Sequence, residues 1–235
     1  MTVNELGTPA WAPVPSWIAY GCVRQNLTVL LRDRDGAGEL RVPACPDWNV
    51  RDVIAHLVGF CRSAEANLAL GRAGPPAPAG DLFTLGLPAL LAEWDRSGSQ
   101  VETSLARPEH LHRGAVMVMD AFTHELDITY ALGSPLPAEH PAYPGALEVA
   151  VGGLTGSIMS LGLPALRLET SGAAWTAGDG RPAAVVRAAR LDLYRSITGR
   201  RTHQQIRQLG WTADPGPWLP AFAWGSFQPP VQPSE

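Results

Sequence analysis

The chain has 235 residues, of which 46% are hydrophobic and 17% charged, so it can bury a core and lacks the composition of a disordered protein. Its net charge of −4 excludes the basic surface that a nucleic-acid backbone requires, and we expect no nucleic-acid partner. All 18 basic residues are arginine, and the absence of lysine excludes Schiff-base catalysis and a P-loop.

Apolar residues at helical spacing predict two N-terminal helices. In residues 17–34 the apolar positions recur at steps of three and four: Val23, Leu27, Leu30 and Leu31. The second helix begins after Asn49, which can cap it, and Asp52 stands three residues later in the register of a capping box. The buried stripe of this helix, which runs to about residue 70, consists of Val50, Val53, Ile54, Leu57, Val58 and Cys61.

Three further helices are predicted before residue 162. Residues 73–80 (AGPPAPAG) form a surface loop, because their prolines and glycines suit neither a helix nor a central strand. The helices are predicted over 81–105, 113–132 and 143–161. The first of these is bent or interrupted near Pro88, and the second is ended by Gly133.

The pattern changes after residue 163, where we expect a small mixed α/β region. Residues 165–177 predict a short hairpin, because leucines alternate before a Ser-Gly turn. A last long helix is predicted from Pro182 to Gly199, a short helix over 202–209, and an irregular, proline-rich tail from residue 212. The predicted organisation is a helical bundle in 1–163 followed by an α/β region in 164–235.

The N-terminal residues and the cysteines indicate a reducing compartment. The first residues have neither the basic nor the apolar segment of a signal peptide, and Cys22, Cys45 and Cys61 show no metal-type spacing. The uncharged stretch 149–166 contains four glycines and Pro164, so it is too weakly apolar to span a bilayer. We therefore expect a cytoplasmic protein with free thiols and no membrane partner.

Three residues that commonly bind metal ions lie on two of the predicted helices: His56, Asp120 and His124. Asp120 and His124 are four residues apart, so both project from one face of the fourth helix. Helical bundles build metal sites from side chains on facing helices, and two histidines with one carboxylate form the ligand set of a catalytic zinc site. Zinc is the default, although other divalent ions use the same ligands. A divalent ion bound there keeps a charge of +1 and attracts an anionic ligand such as a thiolate.

The same three residues also fit a protein without a metal. Asp and His four residues apart occur on helices by chance, and a lone histidine beside an apolar stripe is more often a core residue than a ligand. His56 lies toward the edge of its stripe, beside Val53 and Phe60. Spacing alone leaves both interpretations open.

Three segments resemble the mycothiol-dependent maleylpyruvate isomerase family: VPACPDWNVRDVIAHLVG, MDAFTHELDITYALG and LDLYRSITGRRTHQQIRQLGW. The resemblance implies a mainly α fold, a DinB-like four-helix bundle with a small α/β C-terminal segment. It also implies that His56, Asp120 and His124 are metal ligands. The best-known member of the family has glutamate at the position of Asp120, and aspartate is shorter by one methylene group.

Two further residues are implicated by their positions. Asp127, three residues after His124 on the same face, either orients a ligand imidazole or pairs with a neighbouring helix. Arg200 matches an arginine region tied to activity in the family, which implies that it binds a substrate carboxylate. Its alternative role is to contact the last carbonyls of the preceding helix. The remaining candidates are expected to be structural or solvated: Trp48 at a helix entry, Cys45 and Cys61 in the packing, and His110, His112, His140 and His203 in solvent.

Together these features predict a metal-dependent enzyme that uses a low-molecular-weight thiol, mycothiol, to isomerise a small electrophilic substrate or to transfer the thiol to it. The metal lowers the pKa of the bound thiol, so that the thiolate attacks the substrate. Two alternatives stay open: thiol conjugation or exchange in secondary metabolism, and a non-catalytic bundle that binds a small molecule. The expected partners are the thiol and a small-molecule substrate, and a homodimer is left open.

Overall fold

The computed structural model describes residues 14–69, 80–107 and 110–234, which form two compact units, 14–146 and 147–234. The first unit contains four long helices: α1 (Ser16–Leu31), α2 (Val50–Ala69), α3 (Leu87–Leu105) and α4 (Leu111–Ala131). Helix α1 packs against α3 and α4, and α2 packs against α3. This packing confirms the predicted four-helix bundle.

Helix α2 begins as its capping sequence predicts. The side chain of Asn49 accepts a hydrogen bond of 2.9 Å from the Asp52 amide, and the Asp52 carboxylate accepts one of 3.1 Å from the Asn49 amide. These two bonds satisfy amide groups that a helix leaves unpaired at its start. The predicted stripe is buried, with at most 2% exposure at Val50, Val53, Ile54, Leu57, Val58 and Cys61.

A short hairpin that the sequence analysis did not predict precedes α2. Its strands are β1 (Arg41–Val42) and β2 (Cys45–Asn49), which pair antiparallel with Val42 opposite Cys45. Strand β2 leads directly into α2, so the residues of this strand are held beside the first turns of that helix. The hairpin therefore fixes the position of side chains that the sequence assigned only to a helix entry.

The third helix begins later than predicted. Residues Leu82–Thr84 form a separate 3₁₀ turn, and α3 starts at Leu87 with Pro88 in its first turn. Proline lacks an amide hydrogen and is accepted at this place, where the amide would be unpaired in any case. Of the two alternatives predicted near Pro88, an interruption is confirmed and a bend inside one long helix is wrong. The loop predicted over 73–80 lies outside the described residues except for Gly80.

Helices α4 and α5 agree with the prediction. Helix α4 is followed by Gly133 in the left-handed conformation (φ 65°), which is typical of a helix end. Helix α5 (Tyr143–Ser160) begins in the first unit and continues in the second. The predicted domain boundary at residue 163 stays a prediction.

A charge cluster around the buried Arg24 connects α1 to α3. Arg24 is 6% exposed, and its guanidinium donates a 2.9 Å hydrogen bond to Glu102 and also pairs with Asp95. A Cβ atom on Gly98 would lie 2.5 Å from Cδ of Arg24, so the glycine makes room for this side chain. The interface between these helices thus depends on an ion pair as well as on apolar contacts.

A second ion-pair cluster joins α2 to α3 through Glu93. Its carboxylate accepts hydrogen bonds of 2.6 Å from Arg96 and 2.7 Å from Arg62. The guanidinium of Arg96, together with that of Arg62, lowers the pKa of Glu93 from 4.5 to about 2. This carboxylate is therefore ionised in the folded protein well into the acid range.

The second unit contains a four-stranded sheet in the order β4-β3-β5-β6. Its strands are β3 (Leu166–Thr170), β4 (Ala173–Ala177), β5 (Ala184–Arg187) and β6 (Gly210–Trp211). Strands β3 and β4 pair antiparallel, which confirms the predicted hairpin, and β5 runs parallel to β3.

The long helix predicted from Pro182 to Gly199 is wrong in its first half. The chain there forms β5, and the helix α6 (Arg190–Ile197) covers only eight residues. Val185 and Val186 are β-branched and favour extended backbone, and pairing with β3 supplies the backbone hydrogen bonds. Helical spacing of apolar residues alone could not distinguish a helix from a strand followed by a helix.

The short helix after Thr202 is confirmed as α7 (His203–Arg207), and it begins with a second capping box. The tail, predicted to be irregular, contains a 3₁₀ helix over Gly216–Phe222 whose Trp218 and Phe222 side chains are buried. Among the described residues we find no helix with the length and apolar character needed to cross a membrane.

Candidate metal centre

Helices α2 and α4 bring together His56, Asp120 and His124. The Nε2 atom of His56 lies 3.4 Å from Oδ2 of Asp120, and Nε2 of His124 lies 4.0 Å from Oδ1 of the same carboxylate. One donor atom from each residue can be chosen so that all three lie within 4.8 Å of one another. The three residues that the sequence singled out are therefore neighbours in space, on two different helices.

The spacing of these atoms fits a coordination sphere. In a tetrahedral site with metal–nitrogen and metal–oxygen bonds of about 2.0 Å, neighbouring donor atoms are about 3.3 Å apart. The Nε2 atoms of His56 and His124 lie 3.5 and 4.0 Å from one and the same oxygen, Oδ1 of Asp120, so only small side-chain movements are needed to reach that value. The side chains of His56 and Asp120 are 30% and 25% exposed, whereas that of His124 is 9% exposed, so the cluster has one solvent-accessible side.

Asp127 lies behind His124, on the side away from the other two donors. Its Oδ2 atom is 3.2 Å from Nδ1 of His124, and its side chain is fully buried. A hydrogen bond from Nδ1–H to this carboxylate leaves the lone pair of Nε2 directed toward His56 and Asp120, as a metal ligand requires. Of the two roles considered for Asp127, the geometry matches orientation of a ligand imidazole.

Trp48 lies against the cluster, although the sequence analysis assigned it only to the helix entry. The centre of its ring is 5.2 Å from that of His56 and 6.2 Å from that of His124. The indole therefore covers one side of both imidazoles. Its short distance along the chain from His56 was a signal for this position, but the β1–β2 hairpin that creates the contact was not predicted.

Cys45, which we expected to be a packing residue, is also next to this cluster. Its thiol donates a 3.9 Å hydrogen bond to Oδ2 of Asp127. Donor atoms of Cys45, His124 and Asp127 lie within 4.8 Å of one another and form a second group of residues that can hold a metal ion. The cysteine is half-buried, whereas the other two residues are buried.

Arg200 belongs to the second unit, where it has local partners. Its guanidinium donates a 2.6 Å hydrogen bond to the carbonyl of Thr198 and lies 5.5 Å from the centre of the Phe227 ring. Thr198 is the C-cap of α6, so the contact matches the structural alternative for this arginine. The role of Arg200 toward a substrate stays a prediction.

The prediction that His140 is solvated is wrong. Its side chain is 4% exposed, with Nε2 3.3 Å from the Glu125 carboxylate and the ring stacked on Phe122 at 4.6 Å. Nδ1 of His140 accepts a hydrogen bond from the Ala142 amide, so the proton of the neutral ring is on Nε2. The Nε2 atom lies 3.8 Å from Sγ of Cys22, and because it carries this proton it cannot act as a base toward the thiol.

The thiol of Cys22 is not activated as a nucleophile, because its surroundings disfavour the thiolate. Burial raises its pKa, and the neighbouring Glu125 carboxylate raises it further. Of the other histidines expected in solvent, His203 is exposed and His110 is half-buried, while the side chain of His112 lies outside the described part of the chain.

Comparison with protein families gives a match to the model described as the mycothiol maleylpyruvate isomerase N-terminal domain, over residues 23–129. This range contains His56, Asp120, His124 and Asp127, and it ends before Arg200. Comparison with curated proteins gives no significant match.

Among solved structures, the crystal structure of the mycothiol-dependent maleylpyruvate isomerase is similar, with a TM-score of 0.60 and 14% sequence identity. The match covers 85% of this chain and 92% of that one. A crystal structure of a histidine-to-alanine mutant of that isomerase is similar over the same shares of both chains, with a TM-score of 0.57 and 14% identity. At this identity the likeness establishes the fold, and the DinB-like helical bundle with a small α/β segment is confirmed.

Proposed function

We propose that this protein is an enzyme that uses mycothiol and a divalent metal ion to isomerise a small electrophilic substrate. The proposal is supported by the match of residues 23–129 to the model described as the mycothiol maleylpyruvate isomerase N-terminal domain. Transfer of the thiol to such a substrate is the variant reaction that the same site supports. The metal ligands are His56, Asp120 and His124, and zinc is the first ion to test.

The observation that carries this proposal is the convergence of three donor side chains from two helices, with a buried carboxylate behind one of them. Two neutral imidazoles and one carboxylate leave a bound divalent ion with a charge of +1, which favours an anionic fourth ligand. When bound, the ion supplies a Lewis acid that lowers the pKa of a thiol, so that the thiolate is available at neutral pH.

The residues around the proposed metal centre, and Arg200, each have a separate role in this proposal. Asp127 holds the imidazole of His124 in the tautomer that presents Nε2. Trp48 covers one side of the two imidazoles and limits the access of water from that side. The exposed side of His56 and Asp120 is where the thiol and the substrate approach. For Arg200 we retain the role that the resemblance implies, bidentate binding of a substrate carboxylate.

Metal content is the first test. We expect about one zinc ion per chain in the purified protein and a loss of most of it in His56→Ala and His124→Ala. The control is His203→Ala, because this histidine is exposed and lies in the other unit. If the two site variants carry as much metal as the wild type, the ligand assignment is wrong.

The second test separates the enzyme from a non-catalytic binding protein. We expect mycothiol to raise the Tm of the zinc-loaded protein, and to support the conversion of maleylpyruvate to its trans isomer. If mycothiol stabilises the protein and a mycothiol adduct of the electrophile accumulates instead, the reaction is thiol transfer. The absence of both stabilisation and turnover would refute a mycothiol-dependent activity.

A further inference from the structure

Cys45, His124 and Asp127 form a compact group of three chemically different donors. Oδ2 of Asp127 lies 3.2 Å from Nδ1 of His124 and 3.9 Å from Sγ of Cys45. With the bond lengths of zinc, about 2.0 Å to nitrogen and oxygen and about 2.3 Å to sulfur, a tetrahedral ion separates such pairs by about 3.3 and 3.5 Å. The observed distances therefore differ from coordination distances by a few tenths of an ångström.

We propose that these three residues form a second cation position, which takes thiophilic divalent ions such as Cd²⁺ and is distinct from the centre formed with His56 and Asp120. The proposal concerns a different donor set, and it does not require that the protein be an isomerase. Its ligands would be Sγ of Cys45, Nδ1 of His124 and Oδ2 of Asp127.

The charges and the donor types determine which ion is preferred. A thiolate and a carboxylate neutralise a divalent ion completely, whereas the centre with His56 and Asp120 leaves a charge of +1. Two of the three residues in the second group are buried, and a neutral complex is easier to bury than a charged one. A thiolate also selects soft ions over hard ions such as Mg²⁺ and Mn²⁺.

The two positions cannot both hold an ion while the shared imidazole of His124 is neutral. Binding at the second position releases the Cys45 thiol proton to solvent and requires the proton of His124 to move from Nδ1 to Nε2. The Nε2 atom then carries a hydrogen and has no lone pair for the first centre. A thiophilic ion at the second position therefore removes one ligand from the first without contacting His56.

The test is titration of the metal-free full chain with Cd²⁺, monitored through the ultraviolet charge-transfer absorption of a thiolate bound to cadmium. We expect the band in the wild type and in His56→Ala, and its loss in Cys45→Ser. The matched control is Cys22→Ser, which removes another half-buried thiol of the same unit and is expected to keep the band. Mg²⁺ is expected to produce no band and not to prevent the one formed by Cd²⁺.

A second measurement on the wild type makes the test independent of how Cys45→Ser folds. Alkylation of each cysteine is followed by mass spectrometry, and Cd²⁺ is expected to slow alkylation of Cys45 by about tenfold or more, because a coordinated thiolate is a poor nucleophile. Alkylation of Cys22 is expected to be unchanged. The proposal is overturned if no band forms, if the band persists in Cys45→Ser, if it disappears in His56→Ala, or if Cd²⁺ leaves the alkylation of Cys45 unaffected.

These outcomes are separate from those of the proposed function. Failure of the zinc centre is shown by normal zinc content in His56→Ala made in a Cys45→Ser background, where the second position cannot hold the ion. That result leaves the cadmium band of the wild type as it is. Failure of the second position is shown by the cadmium experiments alone, with no change in the zinc content or turnover of the wild type.

Discussion

Replacing Asp127 by asparagine changes the charge behind the His124 imidazole with almost no change in size. The carboxylate is fully buried and lies 3.2 Å from Nδ1, so water cannot replace it. The hydrogen-bond partner of a metal-bound histidine typically contributes a factor of about 10 to 100 in metal affinity, or about 1.4 to 2.7 kcal/mol. Asparagine keeps an oxygen acceptor and loses only the charge, so we expect Asp127→Asn to weaken zinc binding by about tenfold. We expect Asp127→Ala, which loses the acceptor as well, to weaken it by about a hundredfold.

The assay is competition for zinc between the protein and a chromophoric chelator of known affinity. It is performed in a Cys45→Ser background, so that the second position does not contribute to binding. Asp47→Asn is the control, because it removes the same charge from an exposed aspartate of β2. If both Asp127 variants bind zinc as tightly as the background protein does, Asp127 does not orient a metal ligand and the reasoning from its 3.2 Å contact is refuted.

Three further predictions concern the stability of the folded protein, and each is checked by urea unfolding. Gly98→Ala is expected to lower the free energy of unfolding by about 2 to 3 kcal/mol, because its Cβ atom would displace Arg24. Its control is Gly152→Ala, at an exposed helical position where an added Cβ atom has no neighbour within 4 Å. This substitution is expected to raise the free energy of unfolding by about 0.5 to 1 kcal/mol. A loss of stability as large in Gly152→Ala as in Gly98→Ala would contradict this assignment. Glu93→Gln is expected to make the free energy of unfolding less dependent on pH in the acid range. The pKa of Glu93 in the folded protein, about 2, lies below its ordinary value of 4.5. The ion pairs of Glu93 with Arg96 and Arg62 therefore stabilise the protein above pH 4.5 and lose their effect as the pH falls toward 2. Screening by solvent limits this contribution to about 1 to 2 kcal/mol, and an unchanged pH profile between 5 and 2 would argue against it. Asn49→Ala is expected to lower the free energy of unfolding by about 1 kcal/mol, because it removes one half of the capping box, and an unchanged value would mean that solvent replaces the cap fully.

The helices of the first unit could be predicted because their signals are local. Such signals are a capping residue, an apolar stripe at steps of three and four, and a terminal glycine, and each lies within or next to one helix. Helix α2 has the first two of them. The strand β5 could not be predicted in this way. Val185 and Val186 fit both a helix and a strand, and only pairing with β3, which is distant in sequence, decides between them.

The same distinction between local signals and contacts distant in sequence applies to the candidate site. Asp120 and His124 are one helical turn apart, and the resemblance of two segments to a known family connected them with His56. The positions of Cys45 and Trp48 depend on a hairpin of two short strands, whose sequence has no strong turn signal. Burial of His140 depends on the packing of a loop on Phe122, and no local pattern records that contact.

The order of residues along the chain was thus sufficient to identify a helical bundle and the start of α2. These features follow from hydrogen bonds and spacings within about four residues, which the chain carries wherever it folds. The three donors of α2 and α4 were connected with one another only when the family resemblance was added to the spacing. Tertiary packing alone decided that the Cys45 thiol and the Trp48 indole lie beside the imidazole of His124 and its carboxylate partner Asp127. Contacts of that kind join residues up to about eighty positions apart, and their distances are set by how the hairpin and α4 pack on each other.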